Sequence, residues 1–294
     1  MPVSGKEGGI IPCALCPPGS GDGAFEPALE CEGFSFVRCK KCGLVQQNPR
    51  LNGEEIIARY SGIYGKDYLS YEIANEEAFL KLQKLALKDA GFPRLEKKLF
   101  KKYPRDAKEI PSVLGPTVLD VGCATGALIA DLRGRKWHVT GVEISPCAQY
   151  AREERGLDVR SVPLEENNFP EGGFDAVLAS HLIEHLNDPM SFLREACRIL
   201  KKGGRIFVTT PDINGFQARL FKGRWRSAIF DHLYLFSGRT LVKMLKIAGF
   251  KIESIRTWGG LAAGAAPPAI KKITDFLVKI FNCGDVMIIR ASKK

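Results

Sequence analysis

Four cysteines near the start of the chain are spaced in a way that is typical of metal sites. Cys13 and Cys16 form one Cys-x-x-Cys pair, and Cys39 and Cys42 form another, with 22 residues between the pairs. Each pair can place two thiolates about 2.3 Å from one ion, and two pairs complete a tetrahedral site. Because such a site has no open position, we expect a structural zinc ion. An iron centre of rubredoxin type uses the same sulfurs, so the sequence leaves both metals open.

A glycine-containing loop at the end of a short apolar strand is the second candidate site. The dinucleotide-binding pattern is Gly-x-Gly-x-x-Gly, but here Gly122 and Gly126 are separated by three residues and Asp120 precedes them. A carboxylate at that position would repel a pyrophosphate and suits a cationic amino-acid group. Glu143 follows at the end of the next expected strand, where its carboxylate can accept hydrogen bonds from both hydroxyls of a ribose.

Three of the four histidines lie in segments that we expect to face a reacting group. His181 and His185 are one helical turn apart and can share a face, and His232 lies in a loop before an expected helix. Histidine is suited to removing a proton from an oxygen or nitrogen acceptor. We predict His232 as the leading candidate for a catalytic base, with a place in the pocket wall or the core as its alternative. His185 ranks second, because Glu184-His185 has the structural alternative of starting the next helix.

The elements that position these residues alternate regularly after Thr117. Short apolar segments read as strands, and amphipathic segments between them read as helices, which argues for a parallel sheet covered on both faces. The expected strands are 117–121, 138–143, 174–179, 205–210, 251–258 and 286–291. The segment 267–283 carries an apolar stripe at Ile270, Ile273, Phe276, Leu277 and Ile280, and we expect it to pack in the core rather than to form a lid.

The first third of the chain is organised differently. Residues 1–50 are rich in glycine, proline and cysteine and predict a small module of hairpins. Residues 51–110 predict a helical linker, which Pro93 divides into two helices. Residues 111–294 then form the α/β domain.

Composition narrows the classes of protein further. The net charge is +10 and the pI about 9.1; the lysines are spread along the chain, which favours a basic soluble surface over a nucleic-acid site. The sequence contains no run of 18 apolar residues, so we expect no membrane span. Residues 1–11 lack the apolar run of a signal peptide. We therefore expect a cytoplasmic protein whose paired cysteines bind metal rather than form disulfides.

Residues 117–210 resemble the class I S-adenosylmethionine-dependent methyltransferases. The matching segments are Val118–Gly126, Gly141–Ser145, Phe174–Val177, Glu184–Pro189 and Leu200–Gly204. Each is moderately specific, and their order is highly specific. Residues 39–45 with Asn48-Pro49 also look like the zinc-ribbon lead-in of some bacterial and archaeal members. One departure is Ala124, where many members have glycine, and we expect only a slight adjustment of the loop.

The resemblance implies a Rossmann-like seven-stranded sheet with the last strand antiparallel, S-adenosylmethionine as cofactor and S-adenosylhomocysteine as product. The residues that it assigns to the cofactor are Asp120, Gly122, Cys123, Gly126, Glu143, Ile144, Leu164, Glu165, Ser180 and His181. Within this set, Glu143 holds the ribose, the 163–165 segment lines the adenine, and the 180–181 turn lies beside the sulfonium. Lead-in tyrosines can cap the cofactor in this family, and Tyr60, Tyr64, Tyr68 and Tyr71 crowd the corresponding stretch.

We expect a small-molecule acceptor, such as a sugar, a lipid-linked intermediate, a quinone-like phenol or a carboxylate. The alternative is an RNA methyltransferase that binds RNA through the zinc module. Against it, no Asn-Pro-Pro-Tyr-type motif follows the fourth strand. A third alternative is a binding protein that keeps the fold without catalysis, and the presence of both Asp120 and Glu143 argues against it.

Overall fold

A computed structural model describes residues 11–16, 24–51, 54–55, 63–102, 115–260 and 267–294. Tyr60 lies outside these residues, as does the side chain of Tyr64. The described strands are β1 (Phe25–Cys31), β2 (Phe34–Cys39), β3 (Val45–Gln47), β4 (Thr117–Val121), β5 (His138–Val142), β6 (Val159–Arg160), β7 (Phe174–Ser180), β8 (Leu200–Pro211), β9 (Tyr234–Leu235), β10 (Phe250–Trp258) and β11 (Val286–Lys293). The described α-helices are α1 (Ile63–Asp89), α2 (Phe92–Phe100), α3 (Ala127–Gly134), α4 (Cys147–Arg155), α5 (Pro189–Ile199), α6 (Phe216–Phe221), α7 (Gly238–Ile247) and α8 (Pro268–Ile280).

Seven of these strands form the central sheet, in the order β10-β11-β8-β7-β4-β5-β6. The strands from β4 to β8 pair in parallel, and β11 runs antiparallel to both β8 and β10. The predicted fold class is therefore confirmed, including the antiparallel last strand. Alternate residues of β4 explain why both faces are covered: Leu119 packs in one core cluster and Val118 in the cluster on the opposite face, as expected of a buried parallel strand.

The predicted break between the two linker helices is also confirmed. α1 ends at Asp89, and Gly91 takes a left-handed φ of 84°, a conformation that glycine adopts without steric cost. α2 begins at Phe92 with Pro93 in its first turn, where a missing N–H breaks no helical hydrogen bond.

A second sheet joins the N-terminal cysteine module to the α/β domain. Its order is β1-β2-β3-β9, and β3 pairs antiparallel with β9 through Val45 with Leu235 and Gln46 with Tyr234. Leu44 is fully buried and lies in the same core cluster as Tyr234. The two-residue strand β9 was not predicted, because a segment that short has no periodicity of its own.

The expectation that 267–283 packs in the core is wrong. Ile273, Phe276 and Ile280 of α8 are each more than half exposed. The sequence shows an apolar stripe but not whether a neighbouring element covers it. Among the helices that the structure describes, α8 included, none is long and apolar enough to cross a membrane.

Candidate active site

The loop between β4 and α3 is a tight turn whose backbone conformation depends on glycine. Gly122 and Gly126 have φ values of 74° and 78°, in the left-handed region that disfavours other residues. A Cβ atom on Gly126 would lie 2.6 Å from Cδ1 of Leu157, so the Leu157 side chain would have to move to admit a larger residue. The Gly122 N–H donates to the carbonyl oxygen of Val142 at 2.8 Å, which ties the loop to β5.

Asp120 sits in β4 directly before this loop and is 1% exposed. Among the described residues, its Oδ1 has no hydrogen-bond partner. Burial, with the nearby charge of Glu143, holds the pKa of its carboxyl well above the usual range. A buried carboxylate oxygen without a donor is costly, and a cationic donor would satisfy it.

Glu143 follows β5 and is fixed between two loops. Its Oε2 accepts from the N–H of Ala124 at 3.0 Å, and its Oε1 accepts from the N–H of Ser145 at 2.8 Å. Ala124 has a φ of 45°, a left-handed conformation that costs an alanine about 1 kcal/mol. Ala124 thus adopts the left-handed conformation that a glycine would adopt without strain. The hydrogen bond from its N–H to Glu143 helps to offset that strain.

Helix α1 adds acidic side chains to this region. Glu76 accepts a hydrogen bond from Oγ1 of Thr125 in the loop at 2.6 Å, and it pairs with Arg155 at 2.6 Å. Burial raises the pKa of Glu72, a hydrogen bond from Tyr68 opposes this, and the charges of Glu143 and Glu76 raise it further. The proximity of Glu72 to Glu143 places the middle of α1 beside the loop.

Sequence reasoning missed Glu72 and Glu76. The available signal was the spacing of Tyr68, Glu72 and Glu76, which are four residues apart and so lie on one face of a helix. Tyr68 faces the same region, since burial and the charges of Glu143 and Glu72 raise its pKa. Tyr71 is instead 56% exposed, so the described tyrosines do not act as one cluster.

The remaining residues assigned to the cofactor differ in exposure. Leu164 is buried and Glu165 exposed on a 3-10 turn, Ile144 and Ser180 are half-buried, and His181 is exposed. The Cys123 side chain packs with Ile129 and Val159 in a core cluster, so only its backbone is available to a ligand. All these assignments stay predictions.

Glu184 is a fully buried carboxylate in the turn after β7. Its Oε2 accepts from Oγ1 of Thr210 at 3.0 Å, and its Oε1 lies 3.2 Å from Nδ1 of His181. Burial opposes its ionisation, but His181, His185 and His232 more than offset this and lower its pKa to about 2. The alternative that Glu184-His185 starts the next helix is wrong, because these residues form a separate 3-10 turn and α5 begins at Pro189.

His185 and His232 meet beside Glu184. Their ring centroids are 4.7 Å apart at an interplanar angle of 78°. Nδ1 of His185 lies 2.8 Å from the carbonyl oxygen of Asp231, and Nδ1 of His232 lies 2.8 Å from that of Ser227. A carbonyl oxygen can only accept, so each Nδ1 carries the proton and each Nε2 carries a lone pair.

His232 is a weaker base than the sequence suggested. Burial, together with the neighbouring His185, lowers its pKa to about 4. A general base works best when its pKa lies near the operating pH. The imidazole of His232 is therefore neutral at neutral pH and has little driving force to take up a proton.

The four predicted cysteine ligands converge at one point. Sγ of Cys13 lies 3.4 Å from Sγ of Cys42, and Sγ of Cys16 lies 3.8 Å from Sγ of Cys39. All four sulfurs are within 4.8 Å of one another. Tetrahedral coordination with bonds of about 2.3 Å separates the sulfurs by roughly 3.8 Å, so the thiols fit one zinc-sized ion.

The cysteine module is hydrogen-bonded to the segment that carries the histidines. The Gln47 N–H donates to the carbonyl oxygen of Leu233 at 2.9 Å, and the Leu233 N–H donates to that of Glu184 at 2.8 Å. Arg50 donates to the carbonyl oxygen of Asn187 at 3.1 Å, and its guanidinium lies over the ring of Tyr234 at 4.8 Å. These contacts form one continuous network from the module to the turn after β7.

Comparison with known sequences places the chain in a known group. A family model described as a methyltransferase domain matches residues 75–255. A protein of Dechloromonas aromatica named ubiquinone biosynthesis O-methyltransferase is 35% identical over 111 residues, covering 35% of this chain and 47% of that protein. A protein of the same name from Caulobacter vibrioides is 36% identical over 117 residues, covering 37% and 46%. The chain spans about half the length of these curated relatives.

Comparison with solved structures finds a similar fold. A solved structure of an S-adenosylmethionine-dependent methyltransferase from Archaeoglobus fulgidus matches 76% of this chain and 99% of that chain, with a TM-score of 0.51. The sequences are 17% identical, so the likeness shows the fold alone.

Proposed function

The chain belongs to the methyltransferase-domain family, and we propose on that premise that it transfers a methyl group from S-adenosylmethionine to a small-molecule acceptor. The observation that carries the proposal is the pair of buried carboxylates, Asp120 and Glu143, at the ends of the adjacent strands β4 and β5. When bound, the cofactor supplies an electrophilic methyl group on a sulfonium, and S-adenosylhomocysteine is the product.

The two carboxylates suit the two ends of the cofactor differently. Oδ1 of Asp120 is buried without a donor, so a protonated amino group would remove an energetic cost rather than add one. Glu143 uses one acceptor site on each oxygen for the N–H groups of Ala124 and Ser145. A carboxylate has about four acceptor sites, so it retains capacity for two ribose hydroxyls while the loops hold its orientation.

Helix α1 supports the same assignment. Glu72 brings a further carboxyl group near Glu143, and Glu76, whose charge is paired with Arg155, binds the glycine loop through Thr125. A site lined by carboxylates attracts a cation and repels the pyrophosphate of a dinucleotide. We extend the proposal to Tyr68, which would cap the cofactor from α1.

The other assignments follow the family resemblance. The backbone of Gly122, Cys123 and Gly126 would bind the methionine end, and the adenine and sulfonium would contact Ile144, Leu164, Glu165, Ser180 and His181. Cys13, Cys16, Cys39 and Cys42 would hold a structural zinc ion. A cytoplasmic location is part of the proposal, because metal-binding thiols persist in reducing compartments.

A small acceptor is preferred over RNA because of how the positive charge is distributed. Among the described residues, ion pairs neutralise basic side chains on separate elements, such as Lys84 with Asp131, Lys201 with Asp175 and Lys279 with Asp89. An RNA site would gather unpaired basic residues along one face. The named relatives act in ubiquinone biosynthesis as O-methyltransferases, which makes phenolic hydroxyls the first acceptors to examine.

Calorimetry with S-adenosylmethionine and a labelled-methyl assay test the proposal. The pure chain should bind the cofactor and its demethylated product, and should transfer label to at least one member of a panel of phenols, carboxylates and sugars. Transfer to bulk RNA, with affinity that falls steeply as salt rises, would replace the small-molecule assignment. Failure to bind the cofactor at all would refute the function.

A further inference from the structure

We propose that Glu184, His185 and His232 form a second metal site, distinct from the cysteine site, which binds one divalent first-row transition ion such as Mn²⁺ or Fe²⁺. One ligand atom from each residue lies within 4.8 Å of the other two. Two imidazoles and one carboxylate on one side of an ion are a common set for such metals, and they leave coordination positions open.

The distances need only a small adjustment. Ligand atoms about 2.0 to 2.2 Å from an ion are separated from one another by roughly 3 to 4 Å. The three ligand atoms lie within 4.8 Å of one another. Each side chain would therefore have to move by less than about 1 Å to bind one ion, and side-chain rotation can provide such a movement.

The tautomers of both histidines are set for ligation. Each Nδ1 donates to a backbone carbonyl oxygen, from Asp231 for His185 and from Ser227 for His232, both at 2.8 Å. This leaves the lone pair on Nε2 of both rings. Metal-ligating histidines typically have this arrangement, in which the second nitrogen donates to a carbonyl or carboxylate that fixes the ring.

Glu184 supplies a buried carboxylate to the proposed site. The residue is fully buried, and within the described part of the chain its Oε1 has no hydrogen bond of good geometry, although Nδ1 of His181 lies 3.2 Å away. Thr210 orients the other oxygen at 3.0 Å. Oε1 therefore keeps lone pairs that an ion could bind, in competition with the imidazole of His181.

The backbone holds the three ligands before any ion binds. Glu184 and His185 share the 3-10 turn after β7, and His232 precedes β9. The Leu233 N–H donates to the carbonyl oxygen of Glu184 at 2.8 Å, which fastens the segment of His232 to that turn. A site built on such fixed segments loses little freedom on binding.

The role of the ion in turnover rests on the proposed function, whereas its binding does not. An acceptor hydroxyl could occupy an open coordination position, where its pKa falls and it releases its proton to solvent. The oxygen then forms a bond to the methyl carbon as the carbon–sulfur bond breaks, and the electron pair of that bond stays on sulfur. The site therefore favours an O-acceptor.

Mn²⁺ tests the site, because thiolate sites prefer softer metals. Electron paramagnetic resonance of the full chain titrated with MnCl₂ should show one bound Mn²⁺ per chain. Glu184→Gln and His185→Asn should each weaken that binding at least 10-fold. His138→Asn is the matched control, since the fourth histidine lies at the start of β5, and it should bind like the wild type.

Calorimetry with S-adenosylmethionine on the same variants separates this proposal from the proposed function. Metal-site variants that keep cofactor affinity within about 3-fold are folded, so their loss of Mn²⁺ is specific. Wild-type protein that binds no Mn²⁺, or Glu184→Gln and His185→Asn variants that bind it as wild type does, would overturn the metal site. Mn²⁺ binding without cofactor binding would leave the metal site standing and reject the methyltransferase function.

Discussion

The rings of His185 and His232 stand edge to face with centroids 4.7 Å apart, although one follows β7 and the other precedes β9. His232 lies two residues before β9, which pairs with β3 and so with the cysteine module. Gln47 and Leu233 continue this connection to the backbone of Glu184. The N-terminal module therefore helps to position the segment that carries His232.

Glu143→Ala should weaken binding of S-adenosylmethionine by about 2 kcal/mol or more, as expected for hydrogen bonds to a charged group. The variant also frees the N–H groups of Ala124 and Ser145, so the loop itself should loosen. Calorimetry measures the affinity. Glu153→Ala is the matched control, because Glu153 is exposed and pairs with Gln149 on the surface of α4. Equal affinity in both variants would reject the ribose assignment.

Cys39→Ser should reduce metal content from about one zinc per chain to near zero, since three thiolates and a hydroxyl bind zinc poorly. Elemental analysis of the purified chain measures this. Cys31→Ser should retain the metal, because Cys31 lies outside the four-sulfur cluster. Unchanged metal content in Cys39→Ser would show that the cysteines do not form the site.

The same variant tests the link between the module and the histidines. Loss of the ion should loosen β3 and with it β9, so Mn²⁺ binding at Glu184, His185 and His232 should weaken while cofactor affinity stays near wild type. The reason is that β9 contacts the module, whereas Asp120 and Glu143 lie on β4 and after β5. Hydrogen exchange should show faster exchange at Tyr234 and Leu235. Unchanged protection there would contradict the coupling.

The sequence predicted the parallel part of the sheet well because β4, β5, β7 and β8 are separate apolar runs with helices between them. It also predicted the glycine loop, whose spacing is local. It could not predict the pairing of β3 with β9, since register between distant segments leaves no local signal. For the same reason, the sequence suggested His232 and His185 as alternative catalytic bases, whereas the fold brings their rings into contact.

Asp212→Asn should change the pH dependence of stability. Burial raises the pKa of Asp212 to about 6, opposed by a hydrogen bond from the Asn214 N–H and by Arg219. Because the folded pKa exceeds the unfolded value of about 3.9, the wild type loses stability as pH rises between about 4 and 6. At 1.36 kcal/mol per unit, this loss reaches at most about 3 kcal/mol.

Asparagine cannot ionise and keeps an acceptor for the Asn214 N–H, so the variant should gain stability relative to wild type on going from pH 4.5 to pH 8. Urea unfolding at both values measures the difference between the two proteins. Asp158→Asn, at an exposed position, should show no comparable change. If the free energies of unfolding of Asp212→Asn and wild type differ by the same amount at both pH values, the pKa of Asp212 is not raised by burial.

The last prediction distinguishes a histidine base from a pair of histidine ligands. If His232 alone removed the acceptor proton, His232→Asn would cut turnover by about 10²- to 10⁴-fold and His185→Asn would act mildly. If both hold an ion beside Glu184, His185→Asn and His232→Asn should reduce turnover to a similar extent, and Glu184→Gln should do the same. Cofactor affinity should stay near wild type in all three.

The structure favours the second outcome. His232 is buried, and its Nδ1 lies 2.8 Å from the carbonyl oxygen of Ser227, which fixes the ring in the way that metal-ligating histidines are fixed. Turnover should then fall in wild-type protein treated with a chelator and return on addition of Mn²⁺, while the three variants should not recover. Elemental analysis must confirm that the cysteine site keeps its zinc during this treatment. Full turnover in the metal-free wild type, with loss only in His232→Asn, would restore the base and remove the ion from the reaction.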